Sequence, residues 1–185
     1  MKKIFTLAAI LAASFAFAQE TEQTESSVSK KHQFSANFQY SEPSQIGIQY
    51  EHKKDVKGKY ASSHVVNVGY GLMDYEEKGF STDGSGFVIE LGSRTYFNDV
   101  HNGFYYSNFL SYGNIKFDEN GFDGTYSYFS FFAPELGYKI QFGGFSIDPF
   151  IGTMWKLEIK GKGDIDNKNV EEWAFRAGLK VGYSF

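Results

Sequence analysis

The side chains best suited to general acid–base chemistry in this sequence are four histidines, His32, His52, His64 and His101. A histidine placed beside a serine and a carboxylate can activate the serine for acyl transfer. Ser62 and Ser63 adjoin His64, but consecutive side chains of a strand point to opposite faces. The chain also has no Gly-x-Ser-x-Gly motif. The sequence therefore favours histidines without catalytic partners, and no catalytic residue is predicted.

Acidic residues gather in three stretches of the chain. They are Asp74, Glu76, Glu77 and Asp83, then Asp118, Glu119 and Asp123, then Asp164, Asp166, Glu171 and Glu172. Oxygen-rich clusters of this kind can bind divalent cations. The stretch from Asp164 begins like a calcium-binding loop, but Lys168 stands at the third ligand position and breaks the pattern. Solvated loops are favoured, and neither a metal nor a cofactor is predicted.

The elements that carry these residues are predicted to be strands, because apolar and polar residues alternate along most of the chain. The alternation is clearest at the C-terminus, where every odd position from Trp173 to Phe185 is apolar or aromatic. The even positions between them are small, polar or cationic. One face of such a strand must be covered by apolar material, which can be a second protein layer or a lipid bilayer.

Eight strands are predicted, each with an outward apolar face and an inward polar face. Their approximate ranges are Gln33–Tyr40, Gln45–His52, Ser63–Leu72, Ser85–Phe97, Phe104–Phe117, Tyr126–Phe142, Phe145–Ile159 and Trp173–Phe185. An even count returns both termini to one end of the structure. Three longer connections then lie at the other end, namely Met73–Gly84, Asp118–Thr125 and Lys160–Val170.

Three details of this assignment stay open or carry a specific expectation. Residue parity does not change across Ser41–Ser44, so Gln33–His52 is either two strands or one long strand. In the fifth strand, Asn108 shares the predicted outward side with apolar neighbours, which leaves the facing of that strand unsettled. In the sixth strand, Tyr128 and Phe132 are expected to face outward.

The predicted inward faces collect five acids and five bases. They are Glu51, Glu90, Glu135, Asp148 and Glu158, and Arg94, Lys139, Lys156, Arg176 and Lys180. The interior of an eight-stranded barrel is only wide enough for side chains to fill it. Unpaired charges would be costly there, so the equal numbers predict a paired, hydrogen-bonded charge network. We therefore expect a plugged barrel rather than a pore.

The first 18 residues have the features of a cleaved signal peptide. Lys2 and Lys3 precede an apolar run over Ile4–Phe17, and Ala16-Phe17-Ala18 offers a cleavage site. Residues 19–31 are mostly polar and are predicted to form a disordered periplasmic tether. The barrel domain is then expected over residues 32–185.

Composition agrees with an envelope barrel. Aromatic residues make up 19% of the chain, while mean hydropathy is negative, as expected when only alternate residues face lipid. The absence of cysteine excludes disulfides. A net charge of −4 argues against nucleic acid as a partner.

The C-terminal residues carry a second signal. Tyr183-Ser184-Phe185 ends the chain on an aromatic residue, after a run of alternating apolar positions. This ending resembles the C-terminal signal read by the outer-membrane assembly machinery. Tyr183 and Phe185 are predicted to be that signal.

Several short stretches place the chain near a family. They are Arg94–Asn98 (RTYFN), Phe104–Gly113 (FYYSNFLSYG), Pro134–Lys139 (PELGYK), Asp148–Gly152 (DPFIG) and the terminal Gly182–Phe185 (GYSF). With them, the chain from the end of the signal peptide resembles the small porin-like outer-membrane β-barrel proteins of Bacteroidetes and Flavobacteria. The resemblance implies a single antiparallel transmembrane barrel inserted in the outer membrane of a Gram-negative cell, with no assigned reaction.

Three functional hypotheses follow. The leading one is a monomeric, non-enzymatic barrel that contacts outer-membrane lipids and lipopolysaccharide and acts as a structural or surface-interaction protein through its acidic outer loops. The second is a lipid-modifying barrel enzyme, acting on lipid A acyl chains, that uses His64 or another rim histidine. A small pore, or a soluble barrel holding a lipid-like ligand, is the third, and the soluble form predicts an apolar interior with a polar exterior.

Overall fold

The computed structural model describes residues 30–77, 80–98, 100–119, 121–165 and 170–185. Within these ranges the chain consists of antiparallel strands joined by turns and loops. The predicted signal peptide and residues 19–29 of the predicted tether lie outside the described residues. Lys31 belongs to the predicted tether, but its carbonyl accepts a hydrogen bond from the Lys53 N–H at 2.8 Å. The end of the tether is therefore paired with the sheet.

Nine strands form one sheet that closes on itself. They are β1 (His32–Tyr40), β2 (Ser44–Lys53), β3 (Ser62–Glu77), β4 (Phe80–Tyr96), β5 (Gly103–Glu119), β6 (Phe122–Phe132), β7 (Pro134–Phe142), β8 (Phe145–Gly163) and β9 (Trp173–Ser184). All pairings are antiparallel, and β1 pairs with β9 to close the ring. β6 and β7 follow one another between β5 and β8 and share one position. The predicted all-β antiparallel ring of eight strand positions is confirmed.

Neighbouring strands of the ring are shifted along one another, and the total shift around the ring suits a tightly filled interior. If paired residues are followed once round the sheet from Tyr40, the path returns to the start of β1 beside Lys30 and Lys31. The first and last residues of this path are about ten residues apart in the sequence. The path passes through Ala177, Ile151, Leu136, Tyr106, Thr95, Ser62 and Lys54. Strand number and stagger together fix the tilt and radius of a closed sheet, and eight positions leave room for side chains only.

The open strand count is settled by the turn after β1. Gln39 lies opposite Gln45, so Gln33–His52 forms two strands and not one. The turn is closed by Ser44, whose hydroxyl donates to the Ser41 carbonyl at 2.8 Å and accepts from the Ser41 N–H at 3.3 Å. Such serine contacts replace ladder hydrogen bonds at a chain reversal.

Of the three long loops predicted from the sequence, Met73–Gly84 and Asp118–Thr125 are mostly strand, so that part of the prediction is wrong, and the third, Lys160–Val170, begins as strand up to Gly163. β3 continues to Glu77, β5 to Glu119 and β8 to Gly163. Beyond about Leu72 the apolar residues change sides: Met73 and Tyr75 are buried inside the ring, while Asp74 and Glu76 are exposed outside. Polar and apolar residues therefore still alternate beyond Leu72, but here the apolar residues face inward. A prediction that expects apolar residues to face outward assigns a loop to such a segment.

The chain changes facing between β6 and β7. The pairing of β6 with β8 shifts register between Phe129 and Phe132. Tyr128 is 1% exposed and lies inside the ring, so its predicted outward facing is wrong, whereas Phe132 is exposed as predicted. A shift of one residue moves every following side chain to the other face. The side chain of Asn108 on β5 bonds to the backbone at this step.

Glycines lie directly opposite inward-facing aromatic residues across the strand ladder. The pairs are Gly84–Phe117, Gly92–Phe109, Gly113–Tyr128, Gly137–Tyr105 and Gly178–Phe150. A Cβ atom added to any of these glycines would lie between 2.2 and 2.6 Å from an atom of the opposite aromatic side chain. Each aromatic side chain therefore occupies the space that a side chain at the glycine would need, which lets large rings fit in a narrow interior.

The outer face of the ring is apolar around its circumference. Exposed large apolar side chains occur on every strand. Examples are Phe38, Ile48, Val68, Leu91, Leu110, Phe131, Leu136, Leu157 and Phe175. Contiguous exposed apolar surface of this extent is unusual for a monomeric protein in water.

Candidate functional site

The interior of the ring near the chain termini is filled by charged side chains. This end, called the terminal end here, is where β1, β3, β5 and β8 begin and where β2, β4, β7 and β9 end. At the opposite end, called the loop end, β1, β3, β5 and β8 end and β2, β4, β6 and β9 begin. The predicted charge network lies between the two ends.

Arg94 is the centre of the first group of ion pairs, called the Arg94 network. Its Nη1 lies 3.2 Å from a Glu51 carboxylate oxygen and 2.9 Å from an Asp148 carboxylate oxygen. Its Nη2 lies 3.6 Å from Glu135, and its side chain is fully buried. The guanidinium stacks over the Tyr105 ring at 3.8 Å. One planar cation with several donors thus contacts three acids from three strands.

Two lysines complete this network. Lys139 donates to Glu51, and also to the side-chain carbonyl of Gln33 at 3.1 Å. Lys180 donates to Glu135 and lies 3.6 Å above the ring of Phe150. The Arg94 network therefore contains three acids and three bases, so burial leaves no net charge among its members.

Tyrosine hydroxyls supply further donors to the same carboxylates. Tyr96 donates to Glu51 at 2.7 Å. Tyr105 donates to Asp148, and to Glu135 at 3.2 Å. A hydroxyl on Ser63 donates to Glu51 at 2.7 Å. Buried carboxylates need such donors because each oxygen has several lone pairs to satisfy.

A second ion pair lies further toward the loop end. Arg176 approaches both oxygens of Glu90, at 3.0 and 3.1 Å, and donates to the Gln39 side chain at 2.8 Å. Asn67 donates to Glu90 at 2.9 Å and to Gln45 at 3.2 Å. With the Arg94 network, this pair accounts for eight of the ten charges predicted for the interior.

The remaining two predicted residues behave differently. Lys156 is 1% exposed, and its ammonium lies 3.8 Å from Glu42, which belongs to the turn between β1 and β2. Glu158 is only half-buried. The structure does not bring either residue into the Arg94 network. The inward parity predicted for Lys156 holds, but its acidic neighbour comes from a turn that alternation cannot place.

Aromatic and aliphatic side chains fill the interior at the loop end. Tyr75 packs against Phe117 and Phe122 with ring centroids 6.0 and 5.4 Å apart. Tyr126 and Tyr128 stack at 5.9 Å. Sequence reasoning missed this cluster, because it assumed that apolar residues face outward along the whole length of each strand. Gly84 lies opposite Phe117 and Gly113 lies opposite Tyr128, and these glycines are the signal that could have revealed the inward position of the two rings.

The four histidines all lie near the terminal end. His32, His52 and His64 are cross-strand neighbours on the outer face of β1, β2 and β3. His32 Nδ1 lies 2.7 Å from the Tyr50 hydroxyl. His101 Nε2 lies 3.0 Å from the Ser62 carbonyl, and burial lowers the pKa of this imidazole although that hydrogen bond raises it. The lipid-modifying role considered for these residues stays a prediction.

The acidic stretches at the loop end are open to solvent wherever the structure describes their side chains, as for Asp74, Glu76, Asp123 and Asp164. Asp118 pairs with Lys116 at 2.8 Å on the exposed surface. Within the described ranges, no group of three or more histidine, cysteine, aspartate or glutamate side chains is arranged to hold a metal ion. Among the same residues, no helix has the length and apolar character needed to cross a membrane.

Basic residues line an open groove of about 640 Å³ at the terminal end. Its walls come from the β2–β3 connection and from Lys31 and His52. Lys31 bonds to Asp55 at 2.7 Å, and this contact holds the pKa of the Asp55 carboxyl below its ordinary value. The groove is called the basic groove below.

The two residues of the predicted assembly signal lie at the same end. Tyr183 and Phe185 are both exposed on the outer side of the ring. Phe185 stacks on His32 at 5.8 Å, and its N–H donates to the His32 carbonyl at 2.9 Å. The C-terminal residues therefore take part in closing the ring between β9 and β1.

Comparison of the chain with models of known protein families, with characterised proteins and with solved structures found no match. The distribution of charge and apolar surface over the ring is therefore the basis for inferring function.

Proposed function

We propose that this protein is an integral outer-membrane β-barrel with a filled interior, and that it serves as a structural or surface-interaction protein of the Gram-negative cell envelope. The observation that carries this proposal is the inverted distribution of residues: the ion pairs around Arg94 are fully buried, while large apolar side chains are exposed outside. The family that the sequence resembles has the same architecture, and membership of that family is part of the proposal.

The energetics of the outer face support a bilayer as its environment. Exposed apolar surface costs roughly 25 cal/mol per Å² in water, so a continuous apolar face favours transfer to lipid. A strand crosses the hydrocarbon core with about 9–11 residues, and the shortest unbroken strand, β1, has 9 residues. Closing the ring also pairs the edge strands, which is necessary where no water can satisfy backbone groups.

The two ends of the ring suggest an orientation. The terminal end carries the lysines of the basic groove and both ends of the described chain, and it is proposed to face the periplasm. The loop end carries exposed acids, among them Asp74, Asp123 and Asp164, and is proposed to face the exterior. Interaction with lipopolysaccharide or with a surface partner would then use the loop end.

A filled interior argues for an anchoring or recognition role rather than transport. Arg94, Lys139 and Lys180 pair with three acids across the interior at the terminal end, and the aromatic cluster occupies the loop end. A water-filled channel requires more strands than eight. Reconstituted protein is therefore expected to produce no single-channel conductance in planar bilayers.

The cysteine-free chain permits a direct test of the proposed topology. Single-cysteine variants at Gly58 in the terminal end and at Asp123 in the loop end should be treated with a membrane-impermeant maleimide on intact cells. We expect labelling of the Asp123→Cys variant on intact cells, and of the Gly58→Cys variant only after the outer membrane is permeabilised. Labelling of both sites in detergent is the control for reactivity. Equal labelling of both on intact cells, or recovery of the protein in the soluble fraction, would contradict the proposal.

A further inference from the structure

The connection between β2 and β3 combines two kinds of side chain on one short segment. Residues 53–60 read Lys-Lys-Asp-Val-Lys-Gly-Lys-Tyr, so four lysines are interleaved with one aliphatic and one aromatic residue. Val56 is 40% exposed and Tyr60 is 52% exposed. Lysines 54, 57 and 59 are exposed beside them and line the basic groove.

The groove keeps an excess of positive charge after its internal pairing is taken into account. Asp55 is engaged by Lys31, which also lines the groove. Lys53 is 5% exposed, and its ammonium donates to the neutral Ser184 hydroxyl at 3.0 Å. Lys59 lies near the Tyr60 ring, 5.6 Å from its centroid. An anion entering the groove would therefore meet several ammonium groups and one carboxylate that is already paired.

Aromatic side chains are also found at the terminal end of the ring, where the basic groove lies. Tyr183 and Phe185 are exposed at the same end of the ring, and the Lys30 ammonium lies 5.6 Å from the Tyr183 ring centroid. Aromatic residues and lysines with apolar stems are the residues that occupy the headgroup region of a bilayer. The exposed side chains of Val56 and Tyr60 add apolar surface on the same segment as the lysines, which a lipid can contact and a small soluble anion cannot use.

We propose that the basic groove is a binding site for the phosphate-bearing headgroup of an anionic phospholipid in the periplasmic leaflet. This inference rests on the proposed function, since it needs the outer face of the ring to lie in a bilayer. Val56 and Tyr60 contact the glycerol and upper acyl region, and the ammonium groups of the groove bind the phosphate. Lysine suits this role because it binds phosphate as a flexible point charge.

The test compares lipid binding by the folded full chain and two charge-matched variants. Folded protein in neutral detergent is titrated with phosphatidylglycerol or with phosphatidylcholine, and bound lipid is measured by native mass spectrometry. Lys57→Gln/Lys59→Gln removes two charges from the basic groove. Lys116→Gln/Lys162→Gln removes two charges from the exposed loop end and is the matched control. Retention of the folded gel mobility in unboiled samples shows that each variant is intact.

We expect wild type and control to prefer phosphatidylglycerol, and the groove variant to bind it about 10- to 30-fold more weakly, from a contribution on the order of 1 kcal/mol per lysine near an anionic surface. Equal affinity for the two lipids, or an equal loss in both variants, would overturn the lipid site while leaving the membrane proposal intact. Displacement of the lipid by millimolar inorganic phosphate would show a site for free anions and would also overturn it. Failure of the wild-type protein to fold in detergent or to associate with lipid would overturn both proposals.

Discussion

The side chain of Asn108 accepts a hydrogen bond from the backbone N–H of Ala133, at the interruption between β6 and β7. Its Oδ1 accepts a hydrogen bond from the Ala133 N–H at 3.1 Å, and its Nδ2 donates to the Phe131 carbonyl at 3.3 Å. Nearby, the Ser130 hydroxyl donates to the Phe132 carbonyl at 3.2 Å. Backbone groups freed by the step between β6 and β7 are thus satisfied within the protein, as an apolar environment requires.

Removing the Asn108 side chain should destabilise the ring. Asn108→Ala leaves a backbone donor and a backbone acceptor without these partners, and each unsatisfied group costs about 1–3 kcal/mol. The free energy of unfolding in lipid vesicles, measured by urea titration, should therefore fall by about 2 kcal/mol or more. Asn114→Ala on the same strand removes a bond to the Ser127 side chain instead, and a smaller loss is expected. An equal loss in the two variants would contradict the backbone role of Asn108.

Arg94 should be among the costliest interior residues to replace. Arg94→Met leaves Glu51, Glu135 and Asp148 with two lysines, and breaking a buried ion pair on one side costs about 3–5 kcal/mol. The companion variant Arg94→Met/Asp148→Asn restores the charge balance and should recover part of the unfolding free energy. Replacing the exposed residue Lys116 by Met should change stability little, because surface ion pairs contribute little. If the double variant is no more stable than Arg94→Met, charge balance is not what the network provides.

The glycines opposite inward aromatic residues should be intolerant of side chains. At Gly137, an added Cβ would lie 2.2 Å from the Tyr105 hydroxyl oxygen, so Gly137→Ala must displace a ring that also bonds to Asp148 and Glu135. Overpacking of this kind costs about 1–3 kcal/mol. Gly58→Ala is the control, since no atom lies within 4 Å of the added Cβ. Unfolding midpoints in urea should separate the two variants, and a stable Gly137→Ala protein would show that Tyr105 is free to move.

The sequence predicts correctly which side chains face inward only along the part of each strand whose outward side chains are apolar. Along β9 the even residues, with Arg176 and Lys180, face inward as predicted. At the loop end the outward residues become polar and the inward ones become apolar, so the sequence predicts a loop at Met73 and Tyr75 where the structure has a strand. The predicted facing of Tyr128 is wrong because no residue type within β6 marks the register shift between Phe129 and Phe132.

The partners within the charge network were beyond sequence reasoning for a related reason. Parity predicts that Glu51 and Arg94 point inward, but contact between them depends on the stagger of the closed ring, which no local pattern encodes. Asn108 is the instructive case, because its polar side chain on an apolar face was the visible sign of the strand interruption opposite it.

His101 should make stability depend on pH. Burial lowers the pKa of its imidazole below the ordinary value near 6.5, so the unfolded chain binds this proton more readily than the folded protein. The contribution of His101 to stability is then present above about pH 6.5 and is lost as the pH falls toward its folded pKa. Urea midpoints at pH 7.5 and 5.5 should differ less for His101→Gln than for wild type. An identical pH dependence in the two proteins would contradict this assignment.

Fractionation combined with gel mobility tests the central claim most directly. Outer-membrane pellets from cells expressing the full chain should be run on gels with and without boiling. We predict that the protein is in the outer-membrane fraction and that its mobility changes on boiling, because a closed, ion-paired ring resists detergent until heated. Recovery in the soluble periplasmic fraction, with the same mobility before and after boiling, would contradict the account and would indicate that another protein or ligand covers the apolar face.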